Sequence, residues 1–251
     1  MHIGIDLGSR AIKLAAVKDG RLISSEVVNS SFEPHKQAEE MVKRYSPLRV
    51  AATGYGRHLA QKHFAQQVIT EIKAHALGAK HLFPGCRTIL DVGGQDSKVI
   101  ALDPQGRVAQ FQMNDKCAAG TGRFMEMMAA SLGYSLDEFS QAAAASDEAV
   151  AINSMCAVFA ESEVVSLRNR GTAPEAIARA IHLSIVDRLG SMLDRIGLQG
   201  ELVFSGGVAK NSILVELLTE RLGRSVLVPA EPEIVGAYGA ALYLGAGVKA
   251  A

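Results

Sequence analysis

The 251-residue sequence lacks net charge, long apolar runs and a signal-peptide pattern at its first residues, and each absence narrows the range of functions that we expect. Lysine plus arginine equals aspartate plus glutamate at 26 each, so nothing attracts the chain to nucleic acid or anionic lipid. No apolar run approaches the roughly 20 residues of a membrane-spanning helix. Met1 leads directly into the strand-like segment His2-Ile3-Gly4-Ile5-Asp6 rather than into a signal peptide. We expect a cytoplasmic protein with no nucleic-acid partner and no membrane partner.

Cysteine is also scarce, which excludes the common cysteine-based scaffolds. The three cysteines are Cys86, Cys117 and Cys156, an odd and sparse set that does not suit a secreted disulfide framework. The sequence contains no Cys-x-x-Cys pair for a zinc ribbon or a thioredoxin-like site. The seven histidines show no metal-ligand spacing, and we interpret them as structural.

An internal duplication is the main organising feature. Residues 3–22 align with residues 88–108, and Asp6, Gly8 and Lys13 match Asp91, Gly93 and Lys98 at a single offset of 85. Each copy reads as an antiparallel meander with turn signals. Residues 49–59 and 201–211 are both short apolar strands that run into a glycine turn, and helices are predicted after them around 58–79 and 208–223. Two Asp-x-Gly turns can match by chance, but three identities at one offset favour duplication.

The duplication predicts an α/β chain built from two related halves. We expect residues 1–84 to form the first half, completed by a C-terminal helix over 233–251, and residues 85–232 to form the second. A helical insert over about 117–196 lies within the second half. With 48% hydrophobic residues, the chain can bury a core in each half.

Three glycine turns carry the chemistry of phosphate binding. Asp6 and Asp91 each end a predicted strand just before a glycine turn, where backbone N–H groups can approach phosphate oxygens. A carboxylate beside such a turn suits Mg²⁺, which prefers oxygen ligands. A third turn, Ser205-Gly206-Gly207, opens a predicted helix. The glycines have no side chains and so leave room for a flat nucleoside, and the helix N-terminus is electropositive.

This arrangement resembles the ATPase superfamily of actin, sugar kinases and heat-shock chaperones, whose members share an actin-like fold of two ribonuclease-H-like halves. The resemblance implies ATP between the halves, with Asp6 and Asp91 as catalytic residues around Mg²⁺. It also implies that Glu71 orients the attacking water, although Glu71 also reads as an ordinary helix-surface residue. The residues implied in nucleotide binding are Gly8, Ser9, Arg10, Ala11, Ile12 and Lys13 in phosphate-1, Gly93, Gly94 and Gln95 in phosphate-2, and Gly206, Gly207 and Asn211 in the adenosine segment.

Cys117 and Cys156 each precede a predicted amphipathic helix, where the helix dipole would favour thiolate. A four-iron cluster requires four thiolates, so two cysteines per chain suffice only if a twofold dimer doubles them. The alternative is that both are small buried apolar residues, as free cysteines often are. Cys86 has no such context, and we interpret it as structural.

The local motifs indicate a particular family. The segments NDKCAAGTGRF and MCAVFAESEVVS, together with IDLGS, TGYGR and DVGGQD, resemble the activator ATPases (component A) of 2-hydroxyacyl-CoA dehydratases, within the BadF/BadG/BcrA/BcrD ATPase family. The resemblance implies that ATP hydrolysis is coupled to electron transfer. It implies one 4Fe-4S cluster per homodimer, ligated by Cys117 and Cys156 of each subunit. A ferredoxin or flavodoxin would supply the electron, and a 2-hydroxyacyl-CoA dehydratase-type enzyme would receive it.

Two departures and three alternatives accompany this resemblance. Arg10 stands where relatives often have threonine, and Lys73-Ala74 where some have serine and cysteine. The first alternative is the ATPase subunit of a double-cubane iron–sulfur reductase. The others are a small-molecule kinase resembling type III pantothenate kinase and a nucleotide-switched chaperone module. The cysteine pair discriminates against the kinase, which needs no cluster.

Overall fold

The structure is a computed structural model that describes residues 1–148, 150–152 and 157–246. Within these residues the strands form two five-stranded sheets, ordered β3-β2-β1-β4-β5 and β8-β7-β6-β9-β10. The strands of the first sheet are β1 (His2–Leu7), β2 (Ala11–Lys18), β3 (Arg21–Asn29), β4 (Arg49–Thr53) and β5 (Gln67–Val68). Those of the second are β6 (Cys86–Val92), β7 (Ser97–Leu102), β8 (Val108–Asn114), β9 (Glu201–Ser205) and β10 (Val226–Leu227).

The two sheets have the same topology, which confirms the duplicated ribonuclease-H-like fold. In each, the first three strands are antiparallel and the fourth and fifth run parallel to the first. The register also repeats, because Asp6 faces Lys13 across β1 and β2, and Asp91 faces Lys98 across β6 and β7. The predicted division at residue 84 stays a prediction, since sheet membership alone does not define a domain.

The helices cover the sheets and confirm the insert in the second half. They are α1 (Pro34–Lys43), α2 (Arg57–His63), α3 (Glu71–Leu82), α4 (Gly122–Ser131), α5 (Leu136–Ala144), α6 (Ala157–Asn169), α7 (Pro174–Ile196), α8 (Ser212–Leu222) and α9 (Val235–Ala246). Helices α4 to α7 form the insert between β8 and β9. In the described part of the chain, no helix is both long and apolar enough to cross a bilayer.

The central strand β1 is buried on both faces because helices pack on each of them. Its residues Ile3, Ile5 and Leu7 join a core with α1, while the opposite face meets α9. Gly4 makes that second contact possible, since a Cβ there would lie 1.8 Å from the carbonyl oxygen of Ala237. The C-terminal helix therefore packs on the first sheet.

Two sequence-predicted helices are divided in the structure. The segment predicted as one helix over 58–79 contains α2, the short strand β5 and α3, because residues 67–68 pair with β4. The segment over 208–223 contains a 3₁₀ turn at Gly207–Lys210 and then α8. The break falls at Asn211, whose side chain accepts a hydrogen bond from the backbone N–H of Leu214 and caps α8. The C-terminal helix predicted over 233–251 starts at Val235, and residues 247–251 lie outside the described part.

Candidate functional site

The two repeated aspartates end equivalent strands and face each other across a cleft between the halves. Asp6 and Asp91 are each 3% exposed. Lys13 Nζ lies 2.8 Å from Asp6 Oδ2, and Lys98 Nζ lies 3.3 Å from Asp91 Oδ2. The cleft has a volume of about 590 Å³, a size suited to a small-molecule ligand.

The two aspartates differ in the hydroxyl residue that lies beside each of them. Ser205 Oγ donates to Asp91 Oδ1 at 3.0 Å. The equivalent residue of the first half is Thr53, which faces Asp6 in the sheet. Thr53 Oγ1 and Asp6 Oδ1 are both buried and have no hydrogen-bond partner among the residues that the structure describes. Buried polar atoms are normally satisfied, so these two atoms fit a polar ligand or a hydrated cation.

Lys98 is the buried cationic centre of the site. The residue is 1% exposed, and its Nζ also lies 2.7 Å from Asp96 Oδ1 and 2.9 Å from Glu71 Oε1. Burial by itself would lower the pKa of Lys98, but the carboxylates of Asp91, Glu71 and Asp96 outweigh burial and raise it. Lys98 is therefore held as an ammonium group.

The charge of this cluster fits a divalent cation. The four carboxylates are those of Asp6, Glu71, Asp91 and Asp96, and the two ammonium groups are those of Lys13 and Lys98. Four negative and two positive charges leave two negative charges uncompensated among these groups. Burial would raise the pKa of Asp91, but His75, Lys98 and the Ser205 hydrogen bond lower it to about 2.

Helix α3 brings Glu71 and His75 to the cleft from one face, since they are four residues apart. His75 Nδ1 lies 3.4 Å from Asp91 Oδ1 and 3.2 Å from Ser205 Oγ. Desolvation raises the pKa of Glu71, which Lys98 partly offsets. Ligand atoms of Glu71, His75 and Asp91 lie within 4.8 Å of one another, but the Lys98 ammonium already contacts both carboxylates.

The third turn also lines the cleft, beside the end of β6. Gly206 has φ +90°, and a Cβ there would lie 2.2 Å from the carbonyl oxygen of Val92, so only glycine fits. Asn211 accepts from Ser140 Oγ of α5 at 3.2 Å, and its Nδ2 lies 3.1 Å from His182 Nε2. Burial lowers the pKa of His182 to about 4, so its neutral ring accepts this bond. Helix α5 of the insert thus lines the cleft beside Asn211.

Most of the sequence-predicted nucleotide residues line this single cleft. The lining includes Asp6, Gly8, Ser9, Arg10, Ala11, Lys13, Glu71, Asp91, Gly93, Gly94, Gln95, Gly206, Gly207 and Asn211. Ile12 is the exception, because alternation along β2 turns its side chain into the core, where it is 0% exposed. The roles of all these residues in nucleotide binding stay predictions.

The described cysteines differ sharply in environment. Cys86 begins β6, is 0% exposed, and has its pKa raised to about 11 by burial. Cys117 is half-buried in the loop between β8 and α4. The prediction that its thiol sits at a helix N-terminus was wrong, because Thr121 is the N-cap of α4 and a turn at Ala118–Thr121 intervenes. Cys156 lies outside the described residues, and α6 is described from Ala157.

Sequence reasoning missed several residues that the fold brings to the cleft. The sequence identifies Lys98 only as the residue that matches Lys13 in the repeat. His75 reads as one of the structural histidines, and no motif points to Asp96. The spacing of Glu71 and His75 at i and i+4 was the available signal for His75. Tyr55 also crosses the cleft, with its Oη donating to Asp96 Oδ2 at 3.2 Å.

A cleft between duplicated halves, lined by two aspartates and three glycine turns, defines an ATPase of the actin-like class. The sequence profile of the BadF/BadG/BcrA/BcrD ATPase family matches residues 3–244, and the chain belongs to that family.

The relatives and solved structures agree with this assignment. The activator of lactoyl-CoA dehydratase from Anaerotignum propionicum is 41% identical over 250 residues, covering 96% of each chain. The activator of the 2-hydroxyisocaproyl-CoA dehydratase from Clostridium difficile, solved with bound ADPNP, has a TM-score of 0.91 and 38% identity, with 99% of this chain and 95% of that chain covered. Component A of the (R)-2-hydroxyglutaryl-CoA dehydratase of Acidaminococcus fermentans has a TM-score of 0.90 and 37% identity, with 96% of each chain covered.

Proposed function

We propose that this ATPase uses ATP hydrolysis to drive one-electron transfer to a partner enzyme. The partner would be a 2-hydroxyacyl-CoA dehydratase or a related iron–sulfur reductase, such as a double-cubane protein, and a ferredoxin or flavodoxin would supply the electron. Similarity to dehydratase activators over nearly the whole chain supports this proposal.

The observation that carries the proposal is a direct backbone link between the phosphate-2 turn and the start of α4, the helix that follows the Cys117 loop. The N–H of Gly122 donates to Gly93 O, and the N–H of Arg123 donates to Gly94 O, both at 2.9 Å. Ser97 Oγ donates to Gly120 O at 2.6 Å. We therefore expect a nucleotide that shifts the Gly93-Gly94 turn to shift the start of α4 and, through Gly120, the loop that carries Cys117.

The thiol environments support a cluster on Cys117 rather than on Cys86. Cluster ligands are thiolates that must reach the iron, and burial holds Cys86 in its neutral form. In the proposed homodimer, Cys117 and Cys156 of each subunit would supply the four ligands of one 4Fe-4S cluster. When bound, such a cluster supplies a one-electron carrier whose potential depends on its surroundings.

The acidic cluster supports a role in Mg²⁺ binding and hydrolysis. Asp6 and Asp91 would hold the Mg²⁺ of MgATP, with the unpartnered Oδ1 of Asp6 as the available ligand atom. Glu71 would orient the attacking water, since its carboxylate lines the cleft and Lys98 fixes one of its oxygens at 2.9 Å. The glycine turns at Gly93 and Gly206 would receive the phosphates and the nucleoside.

Anaerobic reconstitution followed by iron and sulfide determination tests this proposal. We expect about four irons per dimer in the wild type and none above background in Cys117→Ser or Cys156→Ser. Cys86→Ala is the matched control, because it also removes one thiol but should keep the iron. ADP and a non-hydrolysable ATP analogue should then give different cluster potentials. A colourless wild-type protein, or iron retained in Cys117→Ser, would contradict the proposal.

A further inference from the structure

Arg10 makes an ion pair that crosses the cleft. It lies in the phosphate-1 turn of the first half, and its Nη2 lies 2.5 Å from Oε1 of Glu126 on α4, in the second half. Both side chains line the cleft. Helix α4 starts directly after the Cys117 loop, so this pair ties the cysteine-bearing part of the insert to the first half.

The stem of Arg10 also lies over the phosphate-2 turn. A Cβ at Gly94 would be 2.6 Å from Arg10 Cγ and 3.2 Å from its Cβ, so glycine at position 94 makes this contact possible. The side chain therefore belongs to the phosphate-1 turn and also contacts the phosphate-2 turn. A polyphosphate that runs from the adenosine segment toward those turns would present its last phosphate to this guanidinium.

We propose that Arg10 is a sensor of the nucleotide's terminal phosphate, exchanging Glu126 for that phosphate when a triphosphate binds. Guanidinium binds phosphate through two parallel charge-assisted hydrogen bonds, whereas a partly exposed carboxylate pair is weak. The exchange does not leave Glu126 alone, since Arg123 Nη1 lies 3.4 Å from its Oε2 on the same helix. Triphosphate binding would then release α4 from the first half.

This inference rests on the proposed function for the place of the nucleotide, but its test needs neither cluster nor partner. Binding of ADPNP and of ADP is measured by calorimetry on the full chain for the wild type, Arg10→Ala, Glu126→Gln and the double variant. Arg10→Ala should weaken ADPNP binding about tenfold or more, because a charged hydrogen bond is lost, and should weaken ADP binding much less. Glu126→Gln should strengthen ADPNP binding about two- to fivefold, because a competing surface pair is removed.

The double variant separates exchange from a merely local effect. If Glu126 acts through Arg10, Glu126→Gln has no effect on ADPNP binding in the Arg10→Ala background. Arg107→Ala is the matched control, since Arg107 is also exposed and ion-paired, to Asp103 at 2.7 Å, outside the cleft. The proposal is overturned if Arg10→Ala weakens both nucleotides equally, or if Glu126→Gln acts equally in both backgrounds. Failure to find the iron site would leave the relative ADPNP and ADP affinities of these variants unchanged, so the two proposals fail separately.

Discussion

Replacing Lys98 by methionine would remove the buried ammonium group while keeping a side chain of similar length. Lys98 Nζ lies between 2.7 and 3.3 Å from the carboxylates of Asp96, Glu71 and Asp91, and the residue is 1% exposed. Removing one partner of a buried ion pair costs about 3–5 kcal/mol, because the remaining charge stays desolvated. Three carboxylates lose their partner here, so we expect the upper part of that range at pH 7.

The loss of stability in Lys98→Met should increase as the pH rises. In the wild type, the pKa of Asp91 is lowered from 3.8 to about 2, so its stabilising contribution is present above 3.8 and is lost as the pH falls through 2. Without Lys98, the folded-state pKa of these carboxylates should rise above the unfolded value. The variant lacks the Asp91 contribution that the wild type already has above pH 3.8, and it is destabilised further as the pH rises through the raised pKa values, so the difference between variant and wild type should be smaller near pH 4 than at pH 7.

Urea unfolding at pH 4, 5.5 and 7, followed by circular dichroism, measures this difference directly. Lys36→Met is the matched control, because Lys36 pairs with Glu33 on the surface, with side chains 64% and 54% exposed. We expect the control to leave stability nearly unchanged at every pH, because solvent screens an exposed pair. The reasoning is refuted if Lys98→Met behaves like the control, or if its loss is the same at pH 4 and pH 7.

Two further predictions concern the cleft. Glu71→Gln should lower ATP turnover about a hundredfold or more while nucleotide affinity changes little. Steady-state kinetics would check this, with Glu40→Gln on the exposed face of α1 as the control. Unchanged turnover would exclude Glu71 as the residue that orients the attacking water. Gly206→Ala should destabilise the fold by at least about 2 kcal/mol, given its positive φ and the 2.2 Å approach to Val92 O. Gly207→Ala is the control, because an added Cβ there would have no described atom within 4 Å, and its stability should be close to that of the wild type. Thermal unfolding measures both variants, and equal losses of stability would contradict the argument.

The repeat in the sequence was sufficient to predict two related α/β halves and the two aspartates, and the resemblance to the actin-like ATPases added the fold. Asp6 and Asp91 share an offset with Lys13 and Lys98, and a shared offset in a meander fixes the same strand register in both copies. The turns that follow are local, so their glycines could be assigned from composition and order. The family motifs added the nucleotide and the cysteine chemistry.

The cross-cleft contacts could not be predicted because they join distant segments. Lys98 meets Glu71 only when α3 packs beside β6, and Arg10 meets Glu126 across 116 residues of sequence. The helix after Cys117 was predicted to follow the cysteine directly, whereas α4 begins at Gly122 after its N-cap Thr121, a residue type that often precedes helices. Local patterns define elements, whereas the pairing of charged groups depends on how the elements pack.

Native mass spectrometry of the anaerobically reconstituted protein tests the shared cluster most directly, because one spectrum reports both the number of chains and the bound iron and sulfide. A cluster shared across a twofold axis predicts a dimer carrying the mass of one four-iron, four-sulfide group, and Cys86→Ala should give the same spectrum. A cluster on each single chain, or an iron-free dimer after reconstitution, would contradict it.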